Sequence, residues 1–378
     1  MTQGRQTYLD YNATAPVRPE AKAAVVRALE IGGNPSSVHA AGRAARSLIE
    51  TARSQVAALV GVAIGSVTFT SGGTESNALA IESAVAAGYD RIILGATEHG
   101  AVSENVRAAG VPVAVWPVDG DGVADLDWLR EELSKVGRPL VCLMLANNET
   151  GVIQLVAEAS VLVREAGGWL HVDAVQAAGK IAIDFTALGA DTMALAAHKL
   201  GGPFGTGALI AGTRATLVRR LHGGGQERGR RAGAENLTGI AGFGAAAVAA
   251  QRDLETIGSQ AAWRDALQNR VEAAGATILG KGAARLPQTL GFAVEGWDAQ
   301  MQVMGLDLAG VMISAGPACS SGKMKPSDVV AAMGRADLAP CAIRVSGGWD
   351  STQDDWRRAG DAWLEAFARH SARRKEVA

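Results

Sequence analysis

Between residues 67 and 172 the chain alternates short apolar runs with stretches whose apolar positions recur every three or four residues. The runs VTFT (67–70), RIIL (91–94), VAVWPV (113–118), PLVCLML (139–145) and WLHV (169–172) have the length and β-rich composition of buried strands. Between them TESNALAIESAVAAG, VSENVRAAG and LDWLREELSKVG carry the helical period. Strand and helix in alternation predict an α/β fold with a mainly parallel sheet. Two helices, PEAKAAVVRALE and AGRAARSLIETARSQVAALVG, precede the first of these strands. After about residue 250 the texture changes to a long helical pattern, QRDLETIGSQAAWRDALQNRVEAAG. The runs TLGFAV (289–294), VMIS (311–314) and AIRVS (342–346) and a last helix from about 352 follow it. The change predicts a large α/β domain over residues 16–255 and a small α+β domain made of 1–15 and 256–378.

Composition narrows the classes of function. At 378 residues, 48% of them apolar, the chain is long enough for two globular domains. A net charge of −2 gives no general attraction to nucleic acid or an anionic membrane. The basic cluster Gln226-Glu227-Arg228-Gly229-Arg230-Arg231 is short and lacks interleaved aromatics, so a loop reaching a phosphate or a neighbouring subunit suits it as well. The opening MTQGRQTYLDYNATAP has no apolar core of a signal peptide, and no run approaches the ~20 apolar residues of a membrane span. A cytoplasmic protein without membrane or nucleic-acid partners is expected. Three cysteines without a CxxC pair argue against a disulfide framework or a zinc site. Cys142 and Cys341 have apolar neighbours, whereas Cys319 sits among glycines and small residues in SAGPACSSG, the setting of a free thiol on an accessible loop.

Residues 169–207 hold the densest chemistry. Asp173, Gln176, His198 and Lys199 surround two short apolar runs, WLHV and TMALAA, so an acid, an amide, an imidazole and an amine can meet at strand ends. That set suits pyridoxal phosphate, which needs a lysine for its aldehyde and a carboxylate to keep its pyridine nitrogen protonated. Lys199 leaves a buried run and precedes a turn rich in glycine and proline; desolvation there lowers its pKa. Upstream, Ser71-Gly72-Gly73-Thr74 lies between a strand and a helix, either as a phosphate cradle or as a plain helix start near Thr74. His99 follows RIIL, where an imidazole can stack on a pyridine ring or serve structure alone. Asn148 follows PLVCLML, as a contact to cofactor and substrate or as part of a polar turn. Arg344 lies inside AIRVS, where charge needs a partner, either a bound carboxylate or an internal ion pair.

Taken in order and spacing, YLDYNATAP, GNPSSVH, FTSGGTESN, TEHGAV, NNETG, HVDAVQ, HKLGGPFGTG, HGGGQERGRRAG, SAGPACSSG and IRVS resemble the cysteine desulfurases, the NifS/IscS-like class V aminotransferases. The resemblance runs nearly end to end. It implies a fold type I enzyme dependent on pyridoxal 5'-phosphate, a homodimer with sites at the interface that takes sulfur from L-cysteine and releases L-alanine. It further implies that Lys199 bonds the cofactor aldehyde and that His99 stacks on the ring and assists proton transfer. Asp173 would pair with the pyridine nitrogen and Gln176 with the ring oxygen, while Gly73, Thr74 and His198 hold the phosphate. Asn148 and Arg344 would bind the substrate carboxylate, Asn148 contacting the cofactor as well, and Cys319 would attack the substrate sulfur and carry it as a persulfide. The long stretch after Cys319 resembles the group with an extended cysteine loop, which passes sulfur to an iron–sulfur scaffold or another acceptor protein. Two positions depart from the family: the hydroxyl residues two before the His-Lys pair and at the end of RAGT are Ala196 and Ala234 here. Weaker cofactor retention is the expectation. A selenocysteine lyase and a non-catalytic relative that has lost tight cofactor binding are the alternatives.

Overall fold

The computed structural model describes residues 6–316 and 325–377, with side chains to 373. Its strands in chain order are β1 (Thr7–Tyr8), β2 (Val67–Thr70), β3 (Arg91–Gly95), β4 (Val113–Trp116), β5 (Pro139–Met144), β6 (Trp169–Asp173), β7 (Thr192–Ala196), β8 (Gly207–Ala211), β9 (Thr277–Ile278), β10 (Thr289–Ala293), β11 (Val311–Met312), β12 (Ser314–Ala315) and β13 (Ala342–Ser346). The main sheet has seven strands in the order β2-β8-β7-β6-β5-β3-β4. From β7 to β4 the neighbours are parallel. Every residue of β5, β6 and β7 is buried, because helices cover both faces and the strands are apolar on both sides.

β8 is the exception, antiparallel to both β2 and β7. Its two reversals leave β2 running the same way as β7. The carboxyl ends of β2, β3, β5, β6 and β7 therefore share one edge of the sheet, and the polar turns that follow these strands lie there. Strand β4 stops at Trp116 because Pro117 has no N–H to donate to a ladder.

The long helical pattern after residue 250 forms the helix Leu254–Ala273, and a further helix, Leu237–Arg252, precedes it and meets it at Asp253. The Leu237–Arg252 helix escapes a reading by pattern because its glycines look like loop residues. They serve close packing: a Cβ on Gly244 would lie 2.7 Å from the Cα of Ala52 in the helix Ala40–Leu59. The run VMIS splits at Ile313. Its first half pairs in parallel with β1, and its second half joins the antiparallel sheet β12-β13-β10-β9. A second apolar core forms around that sheet, where Leu9 packs with Phe292, Trp356 and Trp363.

Candidate active site

Lys199 stands in the turn Ala197–Lys199 that follows β7. Its Nζ donates to the backbone carbonyls of Asn12 (2.6 Å) and Ala13 (2.9 Å). Burial, then the nearby Arg344 guanidinium, bring its pKa down to about 8, against the pull of Asp10 and Asp173. At the end of β6, Asp173 accepts from Val175 N (2.9 Å) and from Asn77 Nδ2 (2.8 Å). The Asn77 carbonyl faces His171 Nε2 (2.9 Å), His171 Nδ1 faces Thr192 Oγ1 (2.9 Å), and Trp169 Nε1 donates to the same hydroxyl (3.0 Å). Since the Asn77 amide nitrogen is committed to Asp173, its oxygen accepts from His171 Nε2–H, and Nδ1 accepts from the Thr192 hydroxyl. Every donor in this buried chain points toward the Asp173 carboxylate. Burial pushes the His171 pKa down to about 3, so the ring stays neutral and keeps that tautomer.

His99 caps the helix Gly100–Ala108, its Nδ1 accepting from Ala101 N (3.0 Å). When the ring is neutral its proton therefore sits on Nε2. Burial lowers its pKa, with Asp173 opposing and Lys199 adding. The preceding Glu98 accepts from Met144 N, and its other carboxylate oxygen is buried without a partner. Burial and then the Asp173 charge raise its pKa well above the usual carboxylate range.

Gly73 opens the helix Gly73–Ala86, whose first-turn N–H groups have no intrahelical acceptors and favour an anion. A Cβ on Gly73 would lie 2.9 Å from Val175 Cγ2 and 3.7 Å from Ala196 Cβ, so β6 and β7 wall this turn and glycine leaves it open. Thr74 is exposed in the same turn. His198 is the one phosphate candidate whose contacts lie elsewhere: its ring stacks on Phe204 at 5.1 Å and its Nδ1 faces Thr14 Oγ1 at 3.3 Å. Burial, Lys199 and Lys180 lower its pKa to about 4.

Arg344 on β13 is buried and makes the internal ion pair that one reading of its sequence setting expects. It donates to Asp10 Oδ1 (2.7 Å) and to the Asn148 carbonyl (2.9 Å), while its Nε is buried without a partner. Gln176 Nε2 donates to the Asn12 carbonyl (2.9 Å). Within the basic cluster Arg231 grips Glu75 (2.9 and 3.3 Å), Arg230 reaches Gly65 O (2.9 Å) and Glu227 forms a buried two-pronged pair with Arg53 (2.6 and 2.9 Å), while Arg228 stays exposed. Cys142 and Cys341 are buried. Cys319 lies outside the described residues.

Sequence reasoning passed over Asn12, Asn77, His171 and Lys180. Their signal is a polar residue at a position the apolar pattern assigns to the core, where a hydrogen-bond partner is obligatory.

A family model of class-V aminotransferases matches residues 7–358. The chain belongs to the class-V aminotransferase family. Among curated class-V relatives it is 37% identical to a cysteine desulfurase IscS of Dictyoglomus turgidum, covering 93% of this chain and 92% of that one. It is 38% identical to an IscS-like cysteine desulfurase of Mycobacterium tuberculosis, covering 98% of each. Among solved structures it superposes on a NifS-like protein from Rickettsia africae with a TM-score of 0.88 and 32% identity, over 96% of this chain and 100% of that one.

The class-V fold implies pyridoxal phosphate, and the residues here fit it. An amine with lowered pKa, a carboxylate terminating a one-way donor chain and an open helix N-terminus stand along one sheet edge. The missing hydroxyl at Ala196 falls beside that turn, its Cβ facing the Gly73 position. Ala196→Ser combined with Ala234→Thr is expected to slow cofactor dissociation at least about tenfold, since one hydrogen bond to a charged group contributes about 1.5 kcal/mol or more. Dialysis against a carbonyl-trapping buffer, followed by absorbance, measures it. An unchanged rate would sink the idea that the two alanines loosen the cofactor.

Proposed function

We propose that this protein is a pyridoxal phosphate-dependent cysteine desulfurase that releases L-alanine and carries the sulfur on Cys319 to an acceptor protein. The observation that carries the reading is the approach of Arg344, on β13 of the antiparallel sheet, to the low-pKa Lys199 at the edge of the main sheet, where the guanidinium helps lower the amine's pKa and keeps a buried N–H without a partner. The Arg344 side chain spends one N–H on Asp10 and one on Asn148, and Nε–H is left for an incoming amino-acid carboxylate. The curated relatives named cysteine desulfurase, and a similar structure described as SspA in complex with cysteine (TM-score 0.77, 26% identity), support the choice of substrate.

Bound at this edge, the cofactor supplies an aldehyde for the amino group and a sink for the electrons left when the α-proton departs. Lys199, neutral above about pH 8, accepts that proton, and the carbonyls of Asn12 and Ala13 hold its amine when it is free. Asp173, whose two oxygens accept from the Asn77 amide and the Val175 N–H, would be the partner of the pyridine nitrogen. His99, when neutral, carries its proton on Nε2, in the plane of the ring, where it can pass it to a group at that edge. Sulfur leaves the substrate when a thiolate attacks it: the new S–S bond forms as the Cβ–S bond breaks, and the electrons of that bond return to the carbon that becomes the alanine methyl. Neither Cys142 nor Cys341 can do this from inside a core, and burial raises the Cys142 pKa well above its usual range. Cys319 is left on the evidence of sequence and resemblance.

A homodimer in the cytoplasm, passing sulfur to an iron–sulfur scaffold or a similar persulfide acceptor, is the setting we infer. The IscS-like relatives support it, as does the absence, among the described residues, of a helix long and apolar enough to cross a membrane. The test is to add L-cysteine to the purified protein loaded with pyridoxal phosphate, quantify alanine, and look by mass spectrometry for one added sulfur on the Cys319 peptide. Cys319→Ala is expected to abolish both persulfide and sulfide release. Sulfide formed at full rate by that variant with a thiol reductant would remove Cys319 from the mechanism.

A further inference from the structure

The same sheet edge holds a second buried amine for which the chemistry above has no use. Lys180 is 7% exposed, just beyond β6, and its Nζ donates to Gln176 Oε1 (2.6 Å) and Asn12 Oδ1 (3.0 Å). Both acceptors are neutral amides. The charged groups that bear on it are Lys199 and Arg344, and these with burial hold its pKa well below that of a free lysine. An isosteric methionine would avoid the desolvation of an amine at this place, so packing alone does not explain a lysine.

Its geometry does. The amine donates to both, an arrangement that keeps the two amide oxygens turned toward it and their nitrogens away. The Asn12 Nδ2 donates to the Asn148 carbonyl (3.1 Å) and Thr289 Oγ1 (3.0 Å), and Gln288 Nε2 shares the Asn12 oxygen with Lys180 at a longer 3.4 Å. The Gln176 Nε2 donates to the Asn12 backbone carbonyl (2.9 Å), which also holds Lys199 Nζ (2.6 Å). We propose that Lys180 is a positioning residue: by orienting the Gln176 and Asn12 amides it presents a Gln176 N–H to the cofactor ring oxygen and fixes the carbonyl on which Lys199 rests. The proposal rests on the pyridoxal phosphate reading above.

Without Lys180 the Gln176 oxygen loses its donor, and the bond from Nε2 to the Asn12 carbonyl is what still opposes a turn of the amide that would set oxygen against oxygen at the ring. An N–H at that point stabilises the ionised ring oxygen, so its loss moves the pH midpoint of the bound cofactor's absorbance change upward. For Lys180→Met the shift expected in the holoenzyme is about one pH unit, the size of one hydrogen bond to a charged group. kcat should fall about tenfold with KM for L-cysteine nearly unchanged. Gln176→Leu should give the same shift, and Lys180→Met with Gln176→Leu no more than either alone. An unshifted midpoint in Lys180→Met, or shifts that add in the double variant, overturns the proposal. Should Lys180→Met not fold, Lys180→Gln carries the test because it keeps a neutral N–H donor. A shift below half that of Gln176→Leu supports the role, and a full shift overturns it. A wild-type chain that takes up no pyridoxal phosphate overturns the functional reading together with this one; a loaded wild type with an unshifted Lys180→Met overturns this one only.

Discussion

Lys199→Ala is expected to form alanine from L-cysteine at least about 10³-fold more slowly than the parent, the upper part of the range for loss of one proton-transfer group. It should also fail to hold the cofactor covalently. The fold should survive, because the amine's recorded partners are two backbone carbonyls and its desolvation costs the folded state something already. A pH profile gives a second readout on the parent. An amine adds to an aldehyde only when unprotonated, and the pKa of Lys199 is lowered to about 8. Uptake of pyridoxal phosphate by the cofactor-free protein should therefore rise about tenfold per pH unit up to about 8 and level above it, whereas an ordinary lysine would level only near ~10.4. Stopped-flow absorbance between pH 6 and 10 measures the rise. A plateau that begins only above pH 10, or a Lys199→Ala variant within tenfold of parental activity, would take Lys199 out of its role.

The sheet edge that holds this lysine was legible from apolar runs alone, since each strand from β2 to β7 announces itself by a short apolar stretch and ends in a polar turn. β8 was not. Its residues GALIA follow a glycine turn directly, and nothing in their pattern says whether they continue, return or cross over. That reversal keeps β2 aligned with β7 and brings the Gly73 turn beside Ala196. Long-range pairing of this kind is decided by packing and leaves no local trace.

The site divides in a similar way. Lys199, Asp173, Gln176, His99 and Gly73 could be named because their chemistry is recognisable in a turn. Asn77 and His171 could not, because a polar residue within a helix or strand pattern looks solvated until burial is known, and here both are fully buried. Asn12 contributes through its backbone carbonyl, which no side-chain motif can register. Arg344 has two readings, substrate anchor and internal ion pair; the structure shows the ion pair to Asp10, and the anchor belongs to the proposed function. For His198 the resemblance implies a phosphate contact, and the structure adds two contacts the sequence does not announce, a stack on Phe204 and Nδ1 facing Thr14.

Asp173→Asn should lower alanine formation about 10³-fold, although the new side chain has nearly the same shape. Its Oδ1 still accepts from Val175 N, but its Nδ2 then faces Asn77 Nδ2, donor against donor. Relief requires the Asn77 amide to turn over, which places an N–H against His171 Nε2 and shifts the imidazole proton to Nδ1. Thr192 Oγ1 would then accept from both His171 and Trp169, whose Nε1 can only donate, and the buried Thr192 hydroxyl proton would lose its acceptor. The donor chain is thus built in one direction and cannot be reversed without an unmet polar group. Asn77→Leu removes a single donor from the carboxylate and should cost about tenfold, one charge-assisted hydrogen bond. The order expected is parent, then Asn77→Leu, then Asp173→Asn, in both alanine formation and retention of the protonated cofactor's absorbance near neutral pH. Equal activity of Asp173→Asn and the parent would mean that the carboxylate's charge is not what this site uses, and a loss in Asn77→Leu as deep as in Asp173→Asn would mean that the chain acts through folding.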